Sequence, residues 1–231
     1  NRILLNKTKK ELNRNILLIW ADSSRLYETG DAANDDLNKY YLEVLFANVD
    51  KTVVKNSKLR RFYGIMKKGV DCVSCQFSFH YFFENQSLLD IFLRNVSDNL
   101  KEGGKFVGTC FDGKKIFNDL RESSDLSYFD SKTKKLVWKI EKKYEEPVLM
   151  DDSRSCGYPI DVYVDSIGKT TTEWLVNWDF VTKKVEEYGM KVNKIESFEE
   201  HYKGSKVKLS EELKTFSFYN VSFEIMKDIK G

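Results

Sequence analysis

The residues best placed for chemistry lie in the stretch Val70-Asp-Cys-Val-Ser-Cys-Gln-Phe-Ser-Phe-His-Tyr-Phe-Phe-Glu84. It opens like a buried strand, yet Gln76, His80 and Tyr81 stand where an apolar run should simply end in a turn. An amide, an imidazole and a phenol at the carboxyl end of a strand can hold a ligand by hydrogen bonds, and open α/β sheets bind ligands at that edge. Two further strand ends carry polar groups. Asp22-Ser23 follow the run Asn15–Trp20, and Asp112 follows Lys105–Cys110. A carboxylate beside a serine suits an adenine, with the carboxylate accepting from the exocyclic amine and backbone amides meeting the ring nitrogens. The plain alternative is a helix N-cap, and spacing alone leaves both open.

Other chemistries lack their signatures. There is no G-x-S-x-G, no Gly-rich phosphate loop, no G-x-G-x-x-G and no metal-ligand cluster. Cys72 and Cys75 form a C-x-x-C, but residues three apart on a strand point to opposite faces, so no shared metal is expected. With Cys110 and Cys156 they read as ordinary buried thiols, and disulfides are not expected in so Lys-rich and Cys-poor a chain.

The elements that must position these groups follow from patterning. Residues 3–13 read as an amphipathic helix and Asn15–Trp20 as a short buried strand. Leu37–Phe46 reads as a Tyr/Leu-rich helix. Val70–Gln76 reads as a strand and Ser87–Leu100 as a helix, with Leu88, Leu89, Phe92, Val96 and Leu100 at helical spacing. Gly103-Gly104 is expected to end that helix, and Lys105–Cys110 to form the next strand, parallel to the first through a right-handed crossover. After residue 125 the pattern changes. Leu136–Ile140, Ile160–Val164, Met190–Ile195 and Phe216–Met226 read as strands, and Val181–Tyr188 as a helix closed by Gly189. They suggest an antiparallel section added to a parallel sheet.

Length and composition set the outer bounds. A chain of 231 residues with 41% hydrophobic and 32% charged residues fits one soluble domain. No run approaches the roughly 20 apolar residues of a membrane helix, and no signal-peptide pattern appears, which suggests an intracellular protein. Net charge is only +2, but Lys51, Lys55, Lys58, Arg60, Arg61, Lys67 and Lys68 follow one another without an acid. That run is either a solvated face or a track for a polyanion.

Taken in order, Ala21-Asp-Ser-Ser24, Asp71–Glu84 and Leu93-Arg-Asn-Val with Leu100-Lys-Glu-Gly-Gly-Lys-Phe-Val-Gly-Thr109 resemble mRNA cap guanine-N7 methyltransferases. So do Thr172-Glu-Trp-Leu-Val176, Glu187-Tyr-Gly-Met-Lys191 and Phe218-Tyr-Asn-Val-Ser-Phe223. The Gln-Phe-x-x-His-Tyr core is specific, and the 37–63 insertion looks most like the methyltransferase domains of large-DNA-virus capping enzymes. The resemblance implies a Rossmann-like class I methyltransferase sheet with S-adenosylmethionine as methyl donor and no metal. Asp22 and Ser23 resemble the adenine-contacting pair, and Gln76 the residue beside the methionine part of the cofactor. His80 and Tyr81 resemble cap-guanine contacts, Glu173 the carboxylate that reads the guanine edge, and Tyr219 a tyrosine of the cap pocket. An aromatic that many members carry just before that Glu has no clear counterpart; Ile160 or Val162 falls near it. Each residue keeps a bland alternative as well: a core histidine, core aromatics, a surface glutamate.

The family's acidic Gly-rich motif and its ribose-binding acid are not found in this sequence. The chain therefore reads as the C-terminal portion of one methyltransferase domain. Residues 1–125 would be what remains of the cofactor core and 126–231 the cap-binding antiparallel section, inactive alone. The implied reaction is methyl transfer to N7 of the 5′ cap guanine by positioning and electrostatics, without a general base. The implied partners are capped RNA and either upstream triphosphatase and guanylyltransferase domains or an activating subunit. The implied site is the nucleus, or a virion or virus factory. The alternatives are a small-molecule methyltransferase and a degenerate module that binds RNA or a partner.

Overall fold

The computed structural model describes residues 16–229; the helix expected over 3–13 lies outside them. Two compact units divide at Val70/Asp71. The expected division at residue 125 falls inside the second unit.

The first unit is built around helix α1 (Asp36–Leu45), capped by Asp35, whose carboxylate accepts from Asn38 N. Leu42 and Phe46 pack with Ala32, while Val44 packs with Val54 and Leu59 of a short helix α2 (Ser57–Arg60). The strand expected over Asn15–Trp20 does not form among the described residues. Ile16, Leu18 and Trp20 are exposed, while Leu17 and Ile19 pack against the unit's small core. The run keeps a strand's alternation, but the only ladder contact is a single bridge, Ala21 to Ala33. An extended segment with no paired neighbour has no ladder to complete.

The second unit contains two four-stranded sheets. The first has the order β1–β2–β8–β7, from β1 (Val70–Gln76), β2 (Leu100–Phe111), β7 (Met190–Ser197) and β8 (Asn220–Lys227). β8 pairs antiparallel with both β2 and β7. The sheet is mixed, so β1 is its parallel member. The second sheet, β3 (Asp125–Phe129), β4 (Leu136–Lys142), β5 (Pro159–Val164) and β6 (Lys169–Trp174), is antiparallel throughout. The antiparallel section is thus a sheet of its own, and only β7 and β8 join the first sheet.

Between β1 and β2 runs helix α3 (Gln86–Asn99), capped by Asn85, which accepts from Leu88 N. It buries Leu89, Phe92, Leu93 and Val96. It ends three residues before the glycines, because Leu100 already adopts extended backbone and starts β2. Gly103 and Gly104 lie inside that strand, and the Lys227 ammonium donates to the Ser97 and Leu100 carbonyls at the helix end. Gly108 lies where β2 is crowded. A Cβ there would sit 2.2 Å from the Cys75 carbonyl oxygen and 2.5 Å from the Phe223 ring.

Three other expectations shift. The helix expected over 181–188 is α5 (Trp178–Glu186), which starts earlier because Asn177 caps it. The long strand expected over 216–226 is helix α7 (Glu211–Ser217), which follows a short helix α6 (Phe198–Lys203), and then β8, since Ser210 caps a turn that the apolar alternation hid. β1 is an edge strand of its sheet rather than a buried one, and Cys72, Ser74 and Gln76 on one face are all exposed. Cys72 is therefore an exposed thiol. Cys110 is fully buried, and Cys75 and Cys156 are half-buried.

Candidate active site

Directly after β1 the chain turns through Phe77, a non-glycine residue held at φ 52°. That left-handed backbone is costly for a side chain with a Cβ. Two hydrogen bonds fix it, from the Phe77 N–H to the carbonyl (2.8 Å) and to the hydroxyl (3.2 Å) of Thr109 on β2. A 3₁₀ helix, Phe79–Glu84, follows. Its anchor is Phe79, fully buried, whose ring lies 5.2–6.1 Å from those of Phe83, Phe92, Phe106, Trp178 and Phe223. With Phe79 locked in the core, the next two residues, His80 and Tyr81, face a cavity of about 290 Å³.

The opposite wall comes from the second sheet. β6 carries Thr171 and Glu173, two apart and hence on one face, and β5 adds Val162 and Val164. Phe77, Phe111, Ile167, Phe216 and Asn220 complete the lining. The His80 ring lies 4.3 Å from that of Tyr81 and 6.2 Å from that of Phe111, nearly parallel to the latter. A purine-sized volume with apolar walls and a few convergent polar groups is the usual form of a small-molecule site.

The polar groups are poorly satisfied. His80 is 4% exposed, and neither ring nitrogen has a hydrogen-bond partner among the described residues. Its Nε2 lies 3.1 Å from Glu173 Oε2, close enough for an ion pair but not aligned as a hydrogen bond. Burial acts against charge on both groups. It pushes the Glu173 carboxyl up to about 7, against a smaller opposing effect of the Thr171 hydroxyl, and pushes the His80 imidazole down to about 4. Burial and the neighbouring Glu173 also raise the Tyr81 phenol. Near neutral pH the imidazole is neutral and the carboxyl poised between its two forms, so ligand hydrogen bonds would satisfy groups that the protein leaves unpaired.

The other expected site residues lie as follows. Gln76 is exposed at the end of β1; its amide oxygen accepts from Thr109 Oγ1 and its nitrogen donates to Ser74 Oγ, both at 2.9 Å. Asp22, in the first unit, accepts from the Ser24 N–H and hydroxyl, which hold its carboxyl below the usual range. Ser23 Oγ is hydrogen-bonded to the Tyr27 hydroxyl. Tyr219 does not line the cavity. Its hydroxyl donates to Asp119 at 2.8 Å, and its ring meets Trp138 edge-on, so Phe216 and Asn220 stand where a tyrosine wall was expected. Asp112, the polar group at the end of β2, caps helix α4 (Gly113–Asp119) by accepting from Lys115 N. Of Ile160 and Val162, only Val162 reaches the cavity. Lys51, Lys55, Lys58, Arg60 and Arg61 are exposed; Lys51 lies over the Tyr63 ring and Arg60 Nε donates to the Val54 carbonyl.

Residues 21–219 match the family described as the mRNA (guanine-N(7))-methyltransferase domain. The chain belongs to that family. Among its relatives is the mRNA cap guanine-N(7) methyltransferase of Drosophila melanogaster, 31% identical over 167 residues, covering 72% of this chain and 36% of the relative. Another is a protein of Acanthamoeba polyphaga mimivirus named "Probable mRNA-capping enzyme", 31% identical over 123 residues, covering 51% of this chain and 10% of the relative. The cap guanine-N(7) methyltransferase of Meyerozyma guilliermondii is 42% identical over 84 residues, 35% of this chain and 14% of the relative. The chain thus spans about a third or less of these relatives. A solved S-adenosylmethionine-dependent methyltransferase from Clostridium acetobutylicum aligns over 85% of this chain and 74% of its own, with TM-score 0.42 and 13% identity.

Phe77, Phe111, Thr171, Phe216 and Asn220 were not singled out from sequence. Thr171 shares Glu173's face of β6, but that strand was not read from the sequence. Phe111 and Asn220 are cross-strand partners at the ends of β2 and β8, a pairing that a single sequence does not reveal.

Proposed function

We propose that this domain methylates N7 of the guanine in the 5′ cap of RNA, with S-adenosylmethionine as methyl donor. The observation that carries this reading is the cavity that joins His80 and Tyr81 to Glu173 in a chain of this family. Guanine presents N1–H and N2–H as adjacent donors, and one ionised carboxylate accepts both; Glu173 takes that role. His80, neutral and unpartnered, donates to guanine O6. Tyr81, 41% exposed at the mouth, covers the base, and Phe111 and Phe216 form the apolar walls. Tyr219 acts from outside the cavity, through its place at the start of β8.

The residues at the end of β1 fit part of such a cofactor, because the Gln76 amide is exposed on the open face of that strand. Gln76 would lie beside its methionine moiety. The cofactor supplies an activated methyl on a sulfonium. Guanine N7 already has a free lone pair, so this chain's residues need only fix the base and exclude water. The basic run Lys51–Arg61, in the first unit, would bind RNA. The mimivirus relative, of which the match covers 10%, leaves room for the upstream capping domains that this reading would place on the same polypeptide. A nuclear or virus-factory location follows from the same reading.

The test uses the full-length protein with labelled S-adenosylmethionine and RNA bearing either a GpppG or an ApppG end. Methylation at N7 of the GpppG end alone is expected. Failure to bind either cap analogue or cofactor by calorimetry would overturn the assignment.

A further inference from the structure

We infer that Thr171 is a positioning residue for guanine specificity, one that holds the Glu173 carboxylate in the plane and the charge state needed to accept two adjacent N–H donors. The inference rests on the cap-guanine reading of the cavity. Thr171 and Glu173 lie on the same face of β6, and Thr171 Oγ1 donates to Glu173 Oε1 at 3.2 Å. Among the described residues this is the only hydrogen bond made to that carboxylate. The other oxygen, Oε2, faces His80 Nε2 at 3.1 Å without hydrogen-bond alignment. Thr171 pairs across the ladder with Val162, whose side chain has no acceptor for its hydroxyl. Its neighbour Thr172, on the other face, is spent on Asp161 at 2.8 Å. Thr171 also lines the cavity, so the fixed carboxylate is presented directly to the ligand volume.

The charge argument runs in the same direction. The titratable groups facing Glu173 are His80 and Tyr81; the remaining walls, from β2, β5, α7 and β8, are Phe111, Val162, Val164, Phe216 and Asn220. Among the described residues no cation offsets its burial. The Thr171 hydroxyl is the group that favours the ionised form against burial. Without it the carboxylate would rotate freely and hold its proton to higher pH, and a protonated carboxyl accepts from a guanine edge at one oxygen only.

The experiment measures binding of the dinucleotide GpppG by calorimetry from pH 6 to 8.5, with ApppA as the guanine-free control, in full-length wild type, Thr171→Val and Thr171→Ser. Thermal unfolding verifies that the variants fold. In wild type, affinity for GpppG rises with pH through about 7, where Glu173 ionises. Thr171→Val should weaken GpppG binding about tenfold at pH 7, the low end for a hydrogen bond to a charged group. It should also move the midpoint of the pH dependence upward and leave ApppA unchanged. Thr171→Ser should restore both affinity and midpoint. Wild-type affinity and midpoint in Thr171→Val would overturn the inference, as would an equal loss at every pH that Thr171→Ser fails to rescue, since that is a packing defect. Equal binding of GpppG and ApppA by wild type would overturn the cap-guanine reading itself.

Discussion

Glu173→Gln should stabilise the ligand-free protein at alkaline pH while destroying its selectivity for guanine. In the unfolded chain the carboxyl loses its proton near its ordinary value of 4.5; in the fold it keeps it until about 7. Between those values the unfolded state has released a proton that the folded state still holds. Folding is therefore progressively penalised as pH rises, and the penalty is complete above about 7. At roughly 1.4 kcal/mol for each pH unit it amounts to about 3 kcal/mol. A glutamine cannot ionise, keeps an oxygen for the Thr171 hydroxyl, and fills the same volume. Part of the gain goes to burying the amide, so a net stabilisation of about 1–3 kcal/mol at pH 8 is expected. Urea unfolding followed by tryptophan fluorescence would show it as a midpoint raised by about 1 M. The gain should fall to about a few tenths of a kcal/mol by pH 4.5, where wild-type Glu173 is protonated in the fold and half-protonated in the unfolded chain. His80 acts in the opposite direction. Its folded value near 4 lies below the ordinary 6.5, so its penalty grows as pH falls, but it is common to both proteins and cancels in the difference. A Glu173→Gln midpoint equal to wild type at pH 8, or a gain that is the same at pH 4.5, would refute the reasoning.

Gly108→Ala should cost about 3 kcal/mol or more, because the added methyl meets the backbone oxygen of Cys75, which cannot move aside as a flexible side chain would; chemical denaturation measures it. Arg60→Glu with Arg61→Glu should weaken binding of capped RNA and reduce the slope of log affinity against log salt by about two or more, while leaving GpppG binding unchanged; a salt titration by fluorescence anisotropy tests this.

How much of the molecule was legible in its sequence depended on whether the deciding interaction was local. Helix α3 and the strands β1, β4, β5 and β7 announce themselves by periodicity, and the structure returns them nearly in place. The stop of α3 was assigned to Gly103-Gly104, a common helix stop, whereas here Lys227, more than a hundred residues away, caps the last carbonyls. Phe216 fits a strand's alternation but sits on α7, where the Ser210 cap decides. β3 and β6 went unnoticed, since Asp125–Phe129 and Lys169–Trp174 are polar on one side and take their strand form from pairing with β4 and β5. In the site, the polar residues stood out by type, while the apolar wall did not. Phe111 and Phe216 look like any core aromatic until two distant elements bring them to one cavity.

The cavity's two sides belong to different sheets: His80 and Tyr81 hang from the end of β1, and Glu173 belongs to β6. A small molecule gripping both sides is thus also a cross-link between layers of the unit. Its binding energy is then unfolding energy, adding RT ln(1 + [L]/Kd), about 2.7 kcal/mol at a hundredfold excess over Kd. The melting temperature of the protein becomes a gauge of what fills the cavity, readable without any chemical turnover.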